Sequence, residues 1–361
     1  MAKWHIITGE YPPAPGGVAD HARLLAAAMK NAHVWTIPAE GDPPDDPGVR
    51  VDREPGRWSG RGLRRLSTLL DREPSPRRLL VQYTPNAWGY KGMNLGFGRW
   101  LRRRAARGDE VWSMVHEPFY EPSRGDKPSR WLLAAAHRRM IRDVLSASAK
   151  VFAPTPTLGP RLAPYTSKPV AWLPAFCNVP VVGPARPPST RVRIGCFGTF
   201  GPSMRSALSA ILPALLEDRP DRDALLIGRG GPSLAATIGG RVQATGELPA
   251  RGLSEAISGC TLMVQPYEDG VCARRSTAMA ALAHGVALAT NSGPNTEPLW
   301  AGSRAVALAV GVDPARLAEA AEAVLRDDAG RARLAAAGLA LYDGRFDLRH
   351  AVETLRRAAD G

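Results

Sequence analysis

The sequence predicts an α/β protein with two doubly wound, Rossmann-like domains that face each other across a cleft. Its 361 residues are too many for one typical domain and suit two. Short apolar runs alternate with helical runs in two successive series, which is typical of parallel sheets covered by helices. A proline-rich stretch at residues 178–193 lacks helical periodicity and separates the two series. We therefore expect two sheets connected by a linker.

In the first series, each predicted strand is a short, mostly apolar run, and each predicted helix carries apolar residues on one face. A loop rich in Pro, Gly and Asp begins at Pro38 and interrupts the alternation. The predicted strands lie at residues 4–8, 33–37, 79–83, 110–115 and 150–153, and the predicted helices at 18–29, 60–70, 95–107 and 128–146.

The second series begins after the proline-rich stretch and follows the same rules. Its predicted strands lie at residues 192–197, 224–227, 241–244, 261–265, 286–290 and 305–309, and its predicted helices at 204–217, 253–258, 276–284 and 314–325. A last helix at 348–359 would suit a chain that returns to brace the first domain. The expected organisation is a first domain at 1–178, a linker at 179–193, a second domain at 194–345 and a returning segment at 346–361.

The bulk composition is that of an ordinary globular protein. Hydrophobic residues make up 44% of the chain and charged residues 22%. No apolar run approaches the roughly 20 residues that a membrane-spanning helix needs, and the first residues lack the core of a signal peptide. The four cysteines are scattered without a CxxC spacing, so neither a zinc site nor a disulfide framework is indicated. The sequence predicts a cytoplasmic protein.

The net charge of +13 and the pI near 10.2 suggest an anionic partner. Only six of the 47 basic residues are lysines. Five arginines fall in the predicted helix at 95–107, at positions 99, 102, 103, 104 and 107. Such a helix could contact an anionic membrane peripherally, at its inner face, or it could be an ordinary solvated helix. We expect no nucleic-acid partner, because no known nucleic-acid motif accompanies the charge.

Residues 267–300 contain the most informative pattern in the chain. An acidic loop with Gly270 leads directly into the small-residue helix at 276–284, which Gly285 ends. The start of a helix presents unpaired N–H groups and the positive end of its dipole, which suits a diphosphate. Arg274 and Arg275 stand where they could add fixed charge.

A second glycine loop lies between the first strand and the first helix. In the run TGEYPPAPGGVADHARLL, at residues 8–25, Gly16 and Gly17 would let the backbone approach a ligand closely. The loop is not GxGxxG, so it does not specifically indicate dinucleotide binding. Taken alone, it could equally be a plain strand-to-helix turn.

Together these two regions resemble family-four glycosyltransferases, and the resemblance extends over nearly the whole chain. It implies the GT-B fold, with the acceptor on the first domain and a nucleotide sugar on the second. The implied activity is of hexosyltransferase type: a sugar moves from a nucleotide-diphosphate sugar to an acceptor hydroxyl, with retention. The implied enzyme needs no metal and no cofactor beyond this co-substrate. The acceptor could be a glycan, a lipid-linked molecule or a small molecule.

The resemblance also assigns roles to individual residues. It places a diphosphate against Gly16 and Gly17, and the sugar against His116 and Asp269. The remaining implied donor contacts are Arg205, Arg274 and Arg275 for the diphosphate, Thr277 for the ribose, and Gly230 and Gly270 in the glycine turns.

Three positions depart from the family pattern. Thr199 stands where the family has an arginine, Thr277 replaces the second signature glutamate, and Asp269 shortens the first. Because charge is lost at Thr199 and Thr277, an alternative is a catalytically weakened nucleotide-binding partner or regulatory subunit. Arg274 and Arg275 would restore cations locally.

Two groups in the first domain have both functional and structural interpretations. His116 follows a strand end, so it could contact a sugar, or a loop carbonyl could hold it structurally. Tyr83, Asn86, Trp88 and Tyr90 follow another strand end. They suit stacking on an acceptor, or packing of a rigid proline loop on the core.

Overall fold

The computed structural model describes residues 3–89, 92–183 and 191–360, and the chain forms two compact units. Unit 1 holds the chain up to Pro174 together with the residues from Ala351 on, and unit 2 is Ala175–His350. Each unit has one sheet of parallel strands with flanking helices. The predicted α/β class with two parallel sheets is confirmed. Tyr90 and part of the predicted linker, residues 184–190, lie outside the described residues.

Unit 1 is built on a seven-stranded parallel sheet in the order β3-β2-β1-β4-β5-β6-β7. Its strands are β1 (Trp4–Thr8), β2 (Ala32–Trp35), β3 (Val49–Asp52), β4 (Arg78–Tyr83), β5 (Glu110–Val115), β6 (Lys150–Ala153) and β7 (Val170–Trp172). Its helices are α1 (Gly17–Met29), α2 (Gly60–Leu70), α3 (Leu95–Ala106), α4 (Pro128–Ala147) and α5 (Leu158–Leu162). The central strands are buried on both faces, which explains their continuous apolar runs.

Unit 2 repeats the design with six parallel strands in the order β10-β9-β8-β11-β12-β13. Its strands are β8 (Val192–Phe197), β9 (Arg222–Ile227), β10 (Val242–Gly246), β11 (Leu262–Gln265), β12 (Leu288–Asn291) and β13 (Ala307–Ala309). Its helices are α6 (Pro202–Leu216), α7 (Gly231–Ile238), α8 (Ala250–Ser258), α9 (Ser276–Ala283), α10 (Pro298–Ser303), α11 (Pro314–Arg326) and α12 (Asp328–Leu341).

The last helix, α13 (Leu348–Asp360), belongs to unit 1 from Ala351 on. Arg78 Nη2 donates to the carbonyl of Ala359 over 3.3 Å, and Lys150 donates to the carbonyl of Ala358. These are among the last carbonyls of the helix, where cations are favourable. No described helix combines the length and the apolar character that crossing a membrane would require.

Strand order reverses once in each sheet, between β1 and β4 and between β8 and β11. Ligands of such sheets bind beyond the carboxyl ends of the strands at this switch point. In unit 2, β8 and β11 pair only at Leu262 and Met263, so the strands diverge towards their carboxyl ends. Gln265, fully buried, bridges the gap by donating to the carbonyl of Phe197 over 3.1 Å.

Several elements of the structure were not predicted from the sequence. Strand β3 lies inside the loop that begins at Pro38, and its half-buried, alternating residues give only a weak apolar run. Helix α12 also escaped prediction, because its sequence of Ala, Gly, Leu and Arg has no clear apolar face and buries only Gly338. Helices α5, α7 and α10 and strand β7 are short and border proline or glycine turns.

Candidate functional site

The candidate site of unit 2 lies at the carboxyl ends of β11 and β12. The loop after β11, residues 266–275, carries the acidic motif, and the loop after β12, residues 292–297, packs against it. Two hydrogen bonds join Tyr267 and Asn291, from Tyr267 N to Asn291 Oδ1 and from Asn291 Nδ2 to Tyr267 O, both 2.8 Å. A third runs from Val271 N to Asn291 O over 2.9 Å.

Asp269 is the centre of this site. Its carboxylate accepts from Arg274 Nη2 over 3.3 Å, from the Arg275 guanidinium, and from Asn295 Nδ2 over 2.6 Å. The backbone N–H of Asn295 also donates to the Asp269 carbonyl over 3.0 Å. Two guanidiniums therefore share one carboxylate, and this Asp269 cluster carries a net positive charge. The three charged side chains are about one quarter exposed, so a ligand can reach them.

Arg275 is also held by an aromatic ring. Its guanidinium lies over Tyr267 at 4.7 Å from the ring centroid, a cation–π contact. The Tyr267 hydroxyl is 2.7 Å from Thr277 Oγ1, and burial raises the pKa of this tyrosine. Thr277 thus holds the Tyr267 ring in place beneath Arg275. The Arg275 guanidinium is therefore fixed by Tyr267 and by Asp269.

Backbone contact between the two loops sets the position of Asp269. Gly270 has φ +82°, and a Cβ there would lie 2.2 Å from Gly293 N. A Cβ on Gly293 would lie 2.5 Å from the carbonyl carbon of Asp269. Neither contact leaves room for a side chain, so both loops need glycine.

Glu297 holds the end of the acidic loop, a role the sequence analysis missed. It is 4% exposed, and its carboxylate accepts the Ala273 N–H at 3.1 and 3.2 Å and the Trp300 indole N–H at 2.8 Å. The only signal in the sequence was a glutamate directly before the proline that opens α10.

Helix α9 starts directly after the Asp269 cluster. Its N-cap residue, Arg275, makes no side-chain capping hydrogen bond, so the first N–H groups are not satisfied by a cap. Thr277 lies in the first turn. An anion at this end would meet both the helix dipole and the two guanidiniums.

The loops after β8 and β9 are in close contact with each other. A Cβ on Gly230 would lie 2.5 Å from the Thr199 carbonyl. Arg205 Nη1 bonds Ser233 Oγ at 3.0 Å and the Gly230 carbonyl at 3.4 Å. Arg205 therefore bonds the end of the loop after β9 and the start of α7, and neither of these partners belongs to the Asp269 cluster.

An open cavity of about 240 Å³ adjoins the acidic loop, beside the starts of α6 and α11. Its lining includes Ser203, Glu268 and Asp313 but no arginine or lysine. Its charge therefore suits a diphosphate less well than the Asp269 cluster does. Among the described residues, no group of three or more His, Cys, Asp or Glu side chains is placed to hold a metal ion.

In unit 1, the Gly16–Gly17 loop opens helix α1 at the β1–β4 switch point. A Cβ on Gly16 would lie 2.8 Å from Glu10 Oε2, so a carboxylate faces the start of this helix. Burial, with the nearby charge of Glu117 as a smaller cause, raises the pKa of Glu10. The carboxylate lies near the place where the resemblance puts a diphosphate.

His116 follows β5 and is 9% exposed. Its Nε2 lies 2.8 Å from Gln82 Oε1. The rings of His116 and His21 are nearly perpendicular, with their centroids 4.8 Å apart. Burial lowers the pKa of His21 to about 4, so that neighbouring imidazole is neutral. The side chain of Gln82 therefore holds the His116 ring.

The aromatic loop after β4 mostly packs inward. Tyr83 and Trp88 are fully buried in the core of unit 1, and Trp88 stacks on Phe97 with centroids 3.9 Å apart. These two side chains therefore pack on the core, which favours the structural interpretation of the loop at both positions. Asn86 is exposed and remains available.

Comparison with known proteins gives structural matches alone. No family model and no curated sequence matches the chain. Sucrose-phosphate synthase from Thermosynechococcus elongatus matches with a TM-score of 0.71 at 15% identity, covering 100% of this chain and 98% of that one. HepE from Anabaena, in complex with UDP and glucose, matches with a TM-score of 0.70 at 13% identity over 100% of both chains. WaaG, a glycosyltransferase involved in lipopolysaccharide biosynthesis, matches with a TM-score of 0.68 at 15% identity over 98% of each.

The chain has the GT-B fold. The predicted fold is confirmed for the described residues. At these identities the GT-B likeness is one of architecture, so function has to be argued from the site itself.

Proposed function

We propose that the protein is a glycosyltransferase of hexosyltransferase type that uses a nucleotide-diphosphate sugar as donor. The observation that carries the proposal is the Asp269 cluster: two arginines converge at the start of α9, beside the switch point of the second GT-B sheet. The complex of HepE with UDP and glucose, a protein of the same fold, supports this choice of donor class.

The chemistry of the cluster suits a departing diphosphate. Arg274 and Arg275 would bind its oxygens with charge-assisted hydrogen bonds, and the first N–H groups of α9 would add to them. Thr277 would reach the ribose. Because fixed cations neutralise the negative charge that develops on the leaving group, the transfer would need no metal ion.

Asp269 would change partners during binding. In the free protein it neutralises part of the charge of Arg274 and Arg275. A donor diphosphate carries more negative charge and would take over both guanidiniums. The released carboxylate would then bind hydroxyls of the donor sugar, with Gly270 leaving room for close approach.

The remaining assignments concern unit 1 and the stereochemistry. We place His116 against the donor sugar, Gly16 and Gly17 near its phosphates, and Asn86 on the acceptor side. Transfer would retain the anomeric configuration. The acceptor would be a glycan, a lipid-linked molecule or a small molecule, and the site of action the cytoplasm, with peripheral contact to an anionic membrane.

Calorimetric titration with UDP, GDP and ADP in the presence of EDTA tests the donor site. We expect saturable binding of one nucleotide. The double variant Arg274→Ala/Arg275→Ala should bind it about 100-fold or more weakly, since a charge-assisted hydrogen bond contributes about 1.5–3 kcal/mol. The matched control is Arg345→Ala/Arg349→Ala, which removes two exposed arginines of unit 2.

Three results would count against the proposal. Equal loss of affinity in the control would point to overall charge, and unchanged affinity in the Arg274/Arg275 variant would place the diphosphate elsewhere. Absence of binding to all three nucleotides would favour a partner subunit whose substitutions at Thr199 and Thr277 have disabled the site.

A further inference from the structure

The first turns of α4 contribute no fully buried side chain to the core of unit 1, and we call them its projecting end. Residues 128–132 are all exposed, and the first buried residue of the helix is Ala134. At 1.5 Å per residue, the six residues before Ala134 extend about 9 Å beyond the packed part of the helix.

The projecting end carries two large apolar side chains. Trp131 is 49% exposed, and Leu132, at 72%, is the most exposed large apolar side chain among the described residues. Met93 and Leu95, at the start of the adjoining helix α3, are exposed as well. An exposed indole beside a leucine is typical of side chains that lie at the boundary between lipid headgroups and acyl chains.

Basic residues cover the outward faces of the two helices. Asp143, the one acidic residue in the sequences of α3 and α4, is buried and accepts from Arg102 at 3.4 Å and from Arg139 at 3.1 Å. This shared partner joins the two outward faces into one continuous basic surface. Its exposed members on the helices are Arg99, Arg102, Arg103, Arg139 and Arg142, and Arg124, Lys127 and Arg130 lie at or before the projecting end.

We propose that this basic surface, with Trp131 and Leu132 at its end, docks unit 1 on an anionic lipid bilayer. The arginines would lie against lipid phosphates, while the indole and the leucine enter the headgroup region. A polyanion such as RNA could satisfy the arginines, but it offers no apolar environment for a projecting leucine. This inference rests on the peripheral membrane contact proposed above and assigns the residues that make it. Docking is a property of unit 1, so its test does not depend on the proposed sugar transfer.

Flotation of the full chain with vesicles tests the docking. The vesicles contain either phosphatidylcholine alone or phosphatidylcholine with about one third phosphatidylglycerol, at two salt concentrations. We expect binding to the anionic vesicles that weakens as salt rises. The variant Trp131→Ser/Leu132→Ser should bind at least about tenfold more weakly, because two inserted apolar side chains are lost.

Two control pairs match these changes. Val310→Ser/Val312→Ser removes two exposed apolar side chains from unit 2 and should leave binding unchanged. Arg99→Glu/Arg103→Glu should abolish binding to the anionic vesicles, whereas Arg304→Glu/Arg345→Glu changes the net charge equally on unit 2 and should largely preserve it. Arg99 and Arg103 form no ion pair among the described residues, so their replacement breaks no such contact.

The proposal is overturned if the protein does not bind anionic vesicles. It is also overturned if the Trp131/Leu132 variant binds them as well as the original chain does. Equal loss in both arginine variants would mean that net charge acts without a docking surface. The partner would be a polyanion if the original chain and the Trp131/Leu132 variant bound single-stranded RNA equally tightly.

Discussion

Replacing Asp269 with asparagine is expected to lower sugar transfer about 100- to 1000-fold, the effect typical of removing a charged group that acts on the reacting centre. The nucleoside diphosphate should bind as tightly as before or more tightly. The reason is that Asp269 shares Arg274 and Arg275 in the free protein, so its charge competes with the diphosphate. Turnover and nucleotide affinity therefore separate in this variant.

Transfer assays and calorimetry on the same preparation measure both quantities. Glu268→Gln is the matched control, because this exposed neighbour bonds Ser203 rather than the arginines. It should keep its turnover. If Asp269→Asn lost nucleotide binding and turnover equally, Asp269 would be holding the arginines in place, and its role towards the sugar would be refuted.

Truncating Glu297 to alanine is expected to destabilise unit 2 by about 3–5 kcal/mol, since it leaves several buried groups without partners. The Ala273 N–H and the Trp300 indole N–H would both lose their acceptor in a site only 4% exposed. The loop that ends at Arg275 would lose its fixed geometry. Nucleotide affinity should therefore fall together with stability, although Glu297 bonds neither of the two arginines.

Urea unfolding followed by far-ultraviolet circular dichroism measures the stability change. Glu319→Ala, which removes an exposed glutamate from α11, is the control and should change stability by less than about 0.5 kcal/mol. Glu297→Gln keeps one carbonyl acceptor and should lie between the two. If Glu297→Ala unfolded like the control, the three hydrogen bonds would not be holding the loop.

The fold could be predicted from the sequence because its signals are local. The buried central strands are continuous apolar runs, and the alternation with helices implies parallel sheets. Helix α12 and strand β3 have no such signal: one lacks an apolar face and the other is half-buried. Both elements form because of the segments that pack beside them, and the local sequence does not show those contacts.

The site could be predicted only in part, for a related reason. The motif put Asp269, Arg274 and Arg275 within seven residues, but it did not show that the arginines bond the aspartate. Glu297, Gln82 and Gln265 were missed because their partners come from other segments. Tyr83 is the last residue of a buried strand, and its side chain is buried like those before it. Its position directly before a loop had suggested that it contacts a ligand.

The close contact between Gly270 and Gly293 makes sequence changes in the two loops depend on each other. A side chain on either glycine would collide with backbone atoms of the other loop, so a substitution in one loop requires the other loop to move. An insertion or deletion in the loop after β12 would move the aspartate carried by the loop after β11. Related chains with a different acidic loop should therefore differ in both loops together, and grafting one loop alone between such chains should fail.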